Sequence, residues 1–447
     1  MTRLLTNAGL QDNAGLYDQG GIYDFSALSF SGASSFNPLT LDPYLLFDAA
    51  TSMRGTLEAF TLDLDPANPS TLEVITANRA GVATFTDANN NIATAPSDTV
   101  RVDYVDSVPM ILVEPSATNL LSYSEDFTNN VWKFSNPGTD TVGNAAVAPN
   151  GTTTAESIVE DTTTSGHRIM GYFANTITSG TAYTFSVFLK ANGRNQVGLF
   201  SSSLGNTSTV FDLAASTPSI STQQLSNGWR RCQITGTASA TGAFSIAITL
   251  KSNSQDSYDG DGTSGLHIWG AQLEEGAVMS SYIPSTSNSS TTRAADNLEI
   301  SGSAFSSFFN NLEGTTYVEI VPKIAGDNTT NLPHIFEYHN SSDANANRMG
   351  IYLPTLTLNA FVRSSGVTTA SVTVGNVNLN QLNRVAVSYK VNDILASLNG
   401  TNEVSDTSAA LSSGIDTLHI GNVYSFAFPF LGHVKRLIYW PTHSSRL

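Results

Sequence analysis

Beyond residue 56 the apolar positions of this chain recur at every second residue, and no long stretch keeps a helical period. Tyr183, Phe185, Val187 and Leu189 fall on one face of a segment whose other face carries Thr184 and Ser186. Phe244, Ile246, Ile248 and Leu250 oppose Ser245, Ala247 and Thr249 in the same way. Alternation of this kind marks antiparallel strands with one buried face. It predicts further strands over 57–64, 71–76, 82–86, 100–105, 110–113 and 314–321. Val385, Val387, Tyr389 and Val391 alternate with Ala386, Ser388 and Lys390 in another. Turns such as Asp87-Ala-Asn-Asn-Asn91 and Leu398-Asn-Gly400 separate these runs. Short strands between Gly, Asn and Ser turns read as β-sandwiches, so the chain is expected to be all-β with two antiparallel sandwich (jelly-roll) domains behind an N-terminal anchoring region. One short helix is predicted at 303–310, with Ser303 as its N-cap.

Breaks in the pattern set the expected boundaries. Residues 1–55 form an extended attachment region, 56–115 a small β-rich connecting domain, and 116–284 the first sandwich. A Ser/Thr-rich linker at 285–297, too polar to pack a core, leads to the second sandwich at 298–447. Within the first region, residues 7–24 are three tandem hexapeptides, each with Gly, then a branched aliphatic (Leu10, Leu16, Ile22), then Asp two positions on. Three copies this short cannot bury a core of their own, which points to an arm whose aliphatics dock elsewhere, or to a loop-rich domain edge.

Composition narrows the partners. Charged residues are 13% of the chain, and 37 Asp and Glu against 20 Lys and Arg leave a formal charge of −17. A surface of that sign repels phosphate backbones and argues against nucleic acid. The single cysteine, Cys232, rules out an intrachain disulfide and is expected to be a small buried hydrophobe on its strand. The start of the chain has no apolar run of signal-peptide length, and no segment approaches the ~18 apolar residues of a membrane span. The expectation is a soluble protein assembled in a cytoplasm, without membrane insertion.

Three phrases follow one another late in the first sandwich: His267-Ile-Trp-Gly-Ala-Gln-Leu-Glu-Glu-Gly276, Ser281-Tyr-Ile-Pro284 and Thr292-Arg-Ala-Ala-Asp296. They resemble the closing strand and exit linker of a carbohydrate-binding-module-like jelly roll in structural proteins of tailed bacteriophage particles. Asn119-Leu-Leu-Ser-Tyr-Ser-Glu-Asp-Phe127, Pro149-Asn-Gly-Thr-Thr153, Tyr183-Thr-Phe-Ser-Val-Phe-Leu-Lys-Ala191 and Gly228-Trp-Arg-Arg231 stand in that family's order. Residues 314–440, with Leu418-His-Ile-Gly-Asn422 and Phe430-Leu-Gly-His-Val-Lys-Arg-Leu-Ile-Tyr439, resemble a concanavalin A-like, laminin-G-type lectin domain. The resemblances imply a non-enzymatic fibre or spike at the virion surface that binds host polysaccharide or lipopolysaccharide. It would join other virion proteins through its N-terminal region and act as a homo-oligomer, a trimer by preference. The alternative is a purely structural head-decoration or collar component.

Candidate chemistry follows from residue types. Lectin-like glycosidases place paired carboxylates on one strand face. Here Glu319 stands alone on its strand, while Glu274-Glu275, Glu125-Asp126 and Glu160-Asp161 are sequence neighbours that face opposite ways. No catalytic residue is expected. Sugar binding uses exposed aromatics beside polar side chains, which selects Trp132, Tyr172, Tyr258, Tyr338 and Tyr424 near expected loops. Trp229 and Trp269 sit within strand motifs and read as core. Asp256, Asp259 and Asp261 on a Gly-rich loop form a candidate calcium site, though Asp-Gly pairs are also ordinary turn formers.

Overall fold

The structure, a computed structural model, describes residues 60–133, 138–215, 222–327, 332–425 and 427–447. The expected attachment region, 1–55, lies outside them. The described chain is all-β and builds two antiparallel sandwiches.

The first sandwich has a six-stranded and a four-stranded sheet. The larger runs in the order Thr222–Gln224, Arg230–Thr237, Ala182–Asn192, Gly265–Glu275, Ala155–Glu160, Thr139–Ala146. The smaller runs Arg168–Ile177, Gly242–Lys251, Gln196–Ser201, Thr207–Asp212. Between them lies one core that includes Phe127, Trp132, Phe173, Phe185, Val187, Leu189, Phe244, Ile246 and Ile248. The alternation read from the sequence supplies these inward positions. Ala182–Asn192 departs from it in one respect: Thr184, Ser186 and Phe188, on its second face, are buried too. Phe188 packs with Trp229, Trp269, Tyr282 and Ile92, the last from a hairpin of Ala83–Thr86 and Ile92–Ala95 that closes over the sheet. Cys232 is buried as expected, and burial pushes its thiol up to about 12, so it is a packing residue.

The second sandwich corrects the expected division of the chain. One of its sheets runs Thr401–Asp406, Asp393–Leu398, Asn383–Lys390, Glu313–Pro322, Gly432–Trp440, Val108–Val113, Val102–Val105, and Leu62–Leu64 also pairs with Gly432–Trp440. The other runs Thr76–Asn78, Asn297–Ser301, Thr417–Ile420, His334–His339, Arg348–Tyr352, Thr357–Ser364, Val367–Asn376. Residues 62–113 thus donate strands to both sheets instead of forming the separate connecting domain expected over 56–115. The reason is apolar burial: Leu64, Ile111 and Val113 share one core with Val318, Val434 and Leu437. A small separate unit of such short strands would leave that face in water. The first sandwich is therefore an insert, entered at Ala117–Asn119 and left at Thr291–Arg293, two strands that pair with each other.

The expected linker at 285–297 is corrected with it. Ser285, Arg293 and Asp296 are buried, and Asn297–Ser301 is already a strand of the second sandwich. The expected strand over 71–76 gives way to a single-turn helix, Pro69–Leu72, with Pro in its first turn. The predicted helix is present but shorter and starts one residue earlier, Gly302–Ser306, with Ser301 at the cap position and no side-chain cap bond.

A buried ionic cluster ties the insert to its host. Arg101 donates to Glu114 (2.8 Å), to both oxygens of Asp296 and to Ser281 Oγ (2.8 Å), while Arg79 donates to Asp296 Oδ1 (2.9 Å). Ser281 returns two bonds to Glu114, from its amide (2.8 Å) and its hydroxyl (2.6 Å). Burial would raise the Glu114 carboxyl, but the Arg293 and Arg101 guanidiniums outweigh it and hold the group well below the usual carboxylate range. Ser281, Arg293 and Asp296 all come from the late phrases singled out in the sequence, and Trp269 and Tyr282 pack beside each other at 4.8 Å between ring centroids. Those phrases are the joint between the two sandwiches.

Candidate functional site

The five aromatic candidates fall into three environments. Trp132 is 0% exposed, packs on Phe127 and Phe173, and donates its indole N–H to the Tyr123 carbonyl at 3.0 Å. Tyr338 is 2% exposed and packs on Phe305, Phe309 and Tyr439. Both assignments as surface ligands are corrected: Trp132 is core because a helical turn folds it onto Phe127 and Phe173, and Tyr338 because it faces inward from its own strand, His334–His339. Tyr258 is half-buried but committed, donating to Glu160 Oε2 at 2.7 Å beneath the Arg194 guanidinium (5.0 Å) and beside His167.

Tyr172 and Tyr424 remain accessible, one in each sandwich. Tyr172, 47% exposed, lies on the outer face of the four-stranded sheet opposite Ser245. The register brings Met170 and Phe200 to that face on either side of Ala247, a shallow and mainly apolar surface.

The three aspartates of the expected calcium loop do not converge. Asp256 pairs with Lys251, Asp259 accepts from the Thr164 hydroxyl, and Asp261 accepts from the Thr263 amide (2.8 Å) and the Ser264 hydroxyl (2.6 Å). Among the described residues no three His, Cys, Asp or Glu side chains stand where they could share a metal ion. The nearby Glu160 is instead neutralised by a two-pronged bond from Arg194, at 2.9 and 2.6 Å. Asx-type bonds that Asp261 accepts from the Thr263 and Ser264 amides shape the turn of this loop.

The second accessible site surrounds Arg348, on the outer face of the seven-stranded sheet. Alternation along Arg348–Tyr352 and Thr357–Ser364 sends Met349, Ile351, Leu358, Ala360 and Val362 into the core. Arg348, Tyr352, Phe361 and Arg363 then stand on the opposite face, all half-buried. Arg348 donates to Glu337 Oε2 at 2.9 Å, and its guanidinium lies over both Phe361 (5.4 Å) and Tyr424 (5.3 Å). The Tyr424 amide donates to Glu337 Oε1 at 3.1 Å, which fixes the loop carrying that ring. His334 stacks between Tyr352 (5.3 Å) and Phe428 (6.1 Å), with Phe361 edge-on. Gly350, opposite Phe361, is required by crowding: a Cβ there would sit 2.2 Å from the Phe336 carbonyl oxygen.

The electrostatics favour binding over proton transfer. Burial, and after it the Arg348 charge, pull His334 down to about 3, and burial with the neighbouring His419 takes His339 to about 4. Both imidazoles are neutral at physiological pH. Glu337 is 0% exposed, so it orients Arg348 and cannot reach a substrate. The site offers half-exposed ring faces beside guanidinium donors, a surface suited to the C–H face and hydroxyls of a sugar. Sequence reasoning found Tyr424 but missed Arg348, Tyr352, Phe361 and Arg363. Their signal was present as aromatic and basic residues at the outward positions of two alternating strands.

No protein-family model and no curated protein matches this sequence. Among solved structures it is similar to domain 4 of the extracellular arabinanase AbnA from Geobacillus stearothermophilus in complex with arabinotriose, at 12% identity and a TM-score of 0.26, over 34% of this chain and 69% of that one. It is also similar to domains LG4-5 of the mouse laminin alpha1 chain, at 11% identity and a TM-score of 0.23, over 77% and 93% of the two chains. The tandem CBM22 domains of Paenibacillus barcinonensis Xyn10C match at 10% identity and a TM-score of 0.23, over 74% and 100%. At such scores the likenesses carry no argument, and the fold rests on this chain's own sheets.

Proposed function

We propose that this chain is a non-enzymatic virion protein, a fibre or spike, that holds host surface glycans on the aromatic patch around Arg348. The observation that carries the binding reading is a set of half-exposed rings, Phe361 and Tyr424 about one guanidinium that a buried carboxylate holds in place, and Tyr352 and Phe428 about the adjoining His334. Such a surface needs no further rearrangement to stack on a pyranose. The virion assignment rests on the late phrases of the insert and on the hexapeptides of residues 7–24, which would attach the chain to a particle. A homotrimer would multiply weak sugar sites through effective concentration.

A glycan array probed with the full chain should retain a restricted set of host polysaccharides. Phe428→Ala and Tyr424→Ala should each weaken retention roughly tenfold, the scale of one stacked ring, with little change in melting temperature. Retention by neither wild type nor variants would favour the purely structural alternative. Release of reducing ends from a retained polysaccharide would overturn the non-enzymatic reading.

A further inference from the structure

Arg348 and Arg363 are direct cross-strand partners in the antiparallel ladder of Arg348–Tyr352 and Thr357–Ser364. Directly opposed residues hold their Cβ atoms about 5 Å apart, and like charges so placed repel. The surroundings compensate only one of them. Glu337 neutralises Arg348, while among the described residues no ion pair reaches Arg363. The Nε atoms of both guanidiniums are buried and donate to nothing among the described residues. His339 extends the same row on the other side of Arg348, with its Nδ1 equally buried and unpartnered. Other carboxylates near the row are engaged elsewhere: Asp416 accepts from the amide and hydroxyl of Ser341, and Glu299 faces His419. In a chain with a formal charge of −17, two facing guanidiniums sharing one carboxylate are a local reversal of sign.

We infer that the anion missing from this row is a carboxylate of the ligand, so that the patch around Arg348 selects acidic, uronate-bearing polysaccharide. This deepens the glycan-binding reading and rests on it. The sugar ring lies against the Phe361 and Tyr424 side of the patch, and its carboxylate is received by the outer guanidinium nitrogens of the half-buried Arg363. A guanidinium suits this because its planar fork matches a carboxylate and gives up hydration more readily than an ammonium.

The test uses the full chain and matched probes: a galacturonate hexamer and a hyaluronan octamer, each beside its methyl ester, which keeps the ring and removes the charge. Isothermal titration should show at least one acid bound on the order of tenfold more tightly than its ester, with the difference shrinking as salt rises. Arg363→Gln should remove that difference by weakening the acid far more than its ester, and Arg363→Lys should restore only part of it. Because the substitution relieves a like-charge contact, R363Q should melt no lower than wild type, so lost selectivity cannot be put down to unfolding. Equal binding of acid and ester, or a preference that survives R363Q, overturns the inference while the glycan-binding reading stands. Retention of neutral glycans on the array with neither acid bound overturns it likewise. Failure of every glycan to bind removes both.

Discussion

Glu156 accepts the Phe127 amide at 2.5 Å, and burial, reinforced by the Asp126 charge, raises its carboxyl to about 7. The ordinary value in the unfolded chain is 4.5, so folding takes up a proton between those limits. The stability this contributes is complete below pH 4.5 and is lost as the pH rises through 7, by up to about 3 kcal/mol at 1.36 kcal/mol per unit. Glu156→Gln keeps the shape and removes the titration. The difference in melting temperature between variant and wild type should therefore grow from pH 4.5 to 7.5 in the variant's favour; a constant difference would show that the group titrates normally. The aromatic residues differ for another reason. Trp132 and Tyr424 both stand near strand ends in the sequence, yet one is core and the other accessible. What separates them is where the neighbouring residues go: Asn130–Trp132 folds back as a helical turn onto Phe127 and Phe173, while the loop at Tyr424 is held by its backbone to Glu337.

Among the elements, the joint between the sandwiches concentrates the energetics. Asp296 accepts from Arg79, Arg101 and the Glu114 amide, all with almost no exposure. Asp296→Asn would keep the volume but leave two buried guanidiniums short of a counter-charge. Removing one partner of a buried pair costs about 3–5 kcal/mol, against 0–1 kcal/mol for a surface pair. Denaturant unfolding of this variant should show that larger loss, and calorimetry should show two transitions as the sandwiches uncouple. A loss under 1 kcal/mol would mean that water reaches the cluster. Strand periodicity was legible for Gly242–Lys251, where one face meets water, and misleading for Ala182–Asn192, where a distant hairpin covers the polar face. Serine and threonine at outward positions read as solvated, yet Ser186 accepts from the buried Arg231 (2.9 Å) and Thr184 bonds Thr235 (2.8 Å).

At the level of the whole molecule, the insertion topology makes residues 62–113 indispensable to the second sandwich. A fragment of residues 116–447, which linear domain boundaries suggest as self-sufficient, would lack Val108–Val113, the strand that pairs with Gly432–Trp440, and Leu62–Leu64 on the same partner. It would expose apolar core and the edge of Gly432–Trp440, a template for aggregation. Its expected behaviour is insolubility or a melting temperature far below that of the full chain. A soluble fragment with an unchanged melting temperature would refute the shared-sheet architecture.

The all-β class, the inward residues of most strands, the buried roles of Trp229, Trp269 and Cys232, and the importance of the late phrases were all readable from residue order, because alternation and turn chemistry act over a few neighbours. Which strands share a sheet was not readable. Leu62–Leu64 and Gly432–Trp440 meet across nearly the whole chain, and nothing local in either names the other. The candidate site has the same origin. Arg348, Arg363 and Tyr424 become one patch only when two strands and a distant loop come together, so its chemistry belongs to the tertiary structure, where long-range apolar burial decides which polar side chains are neighbours.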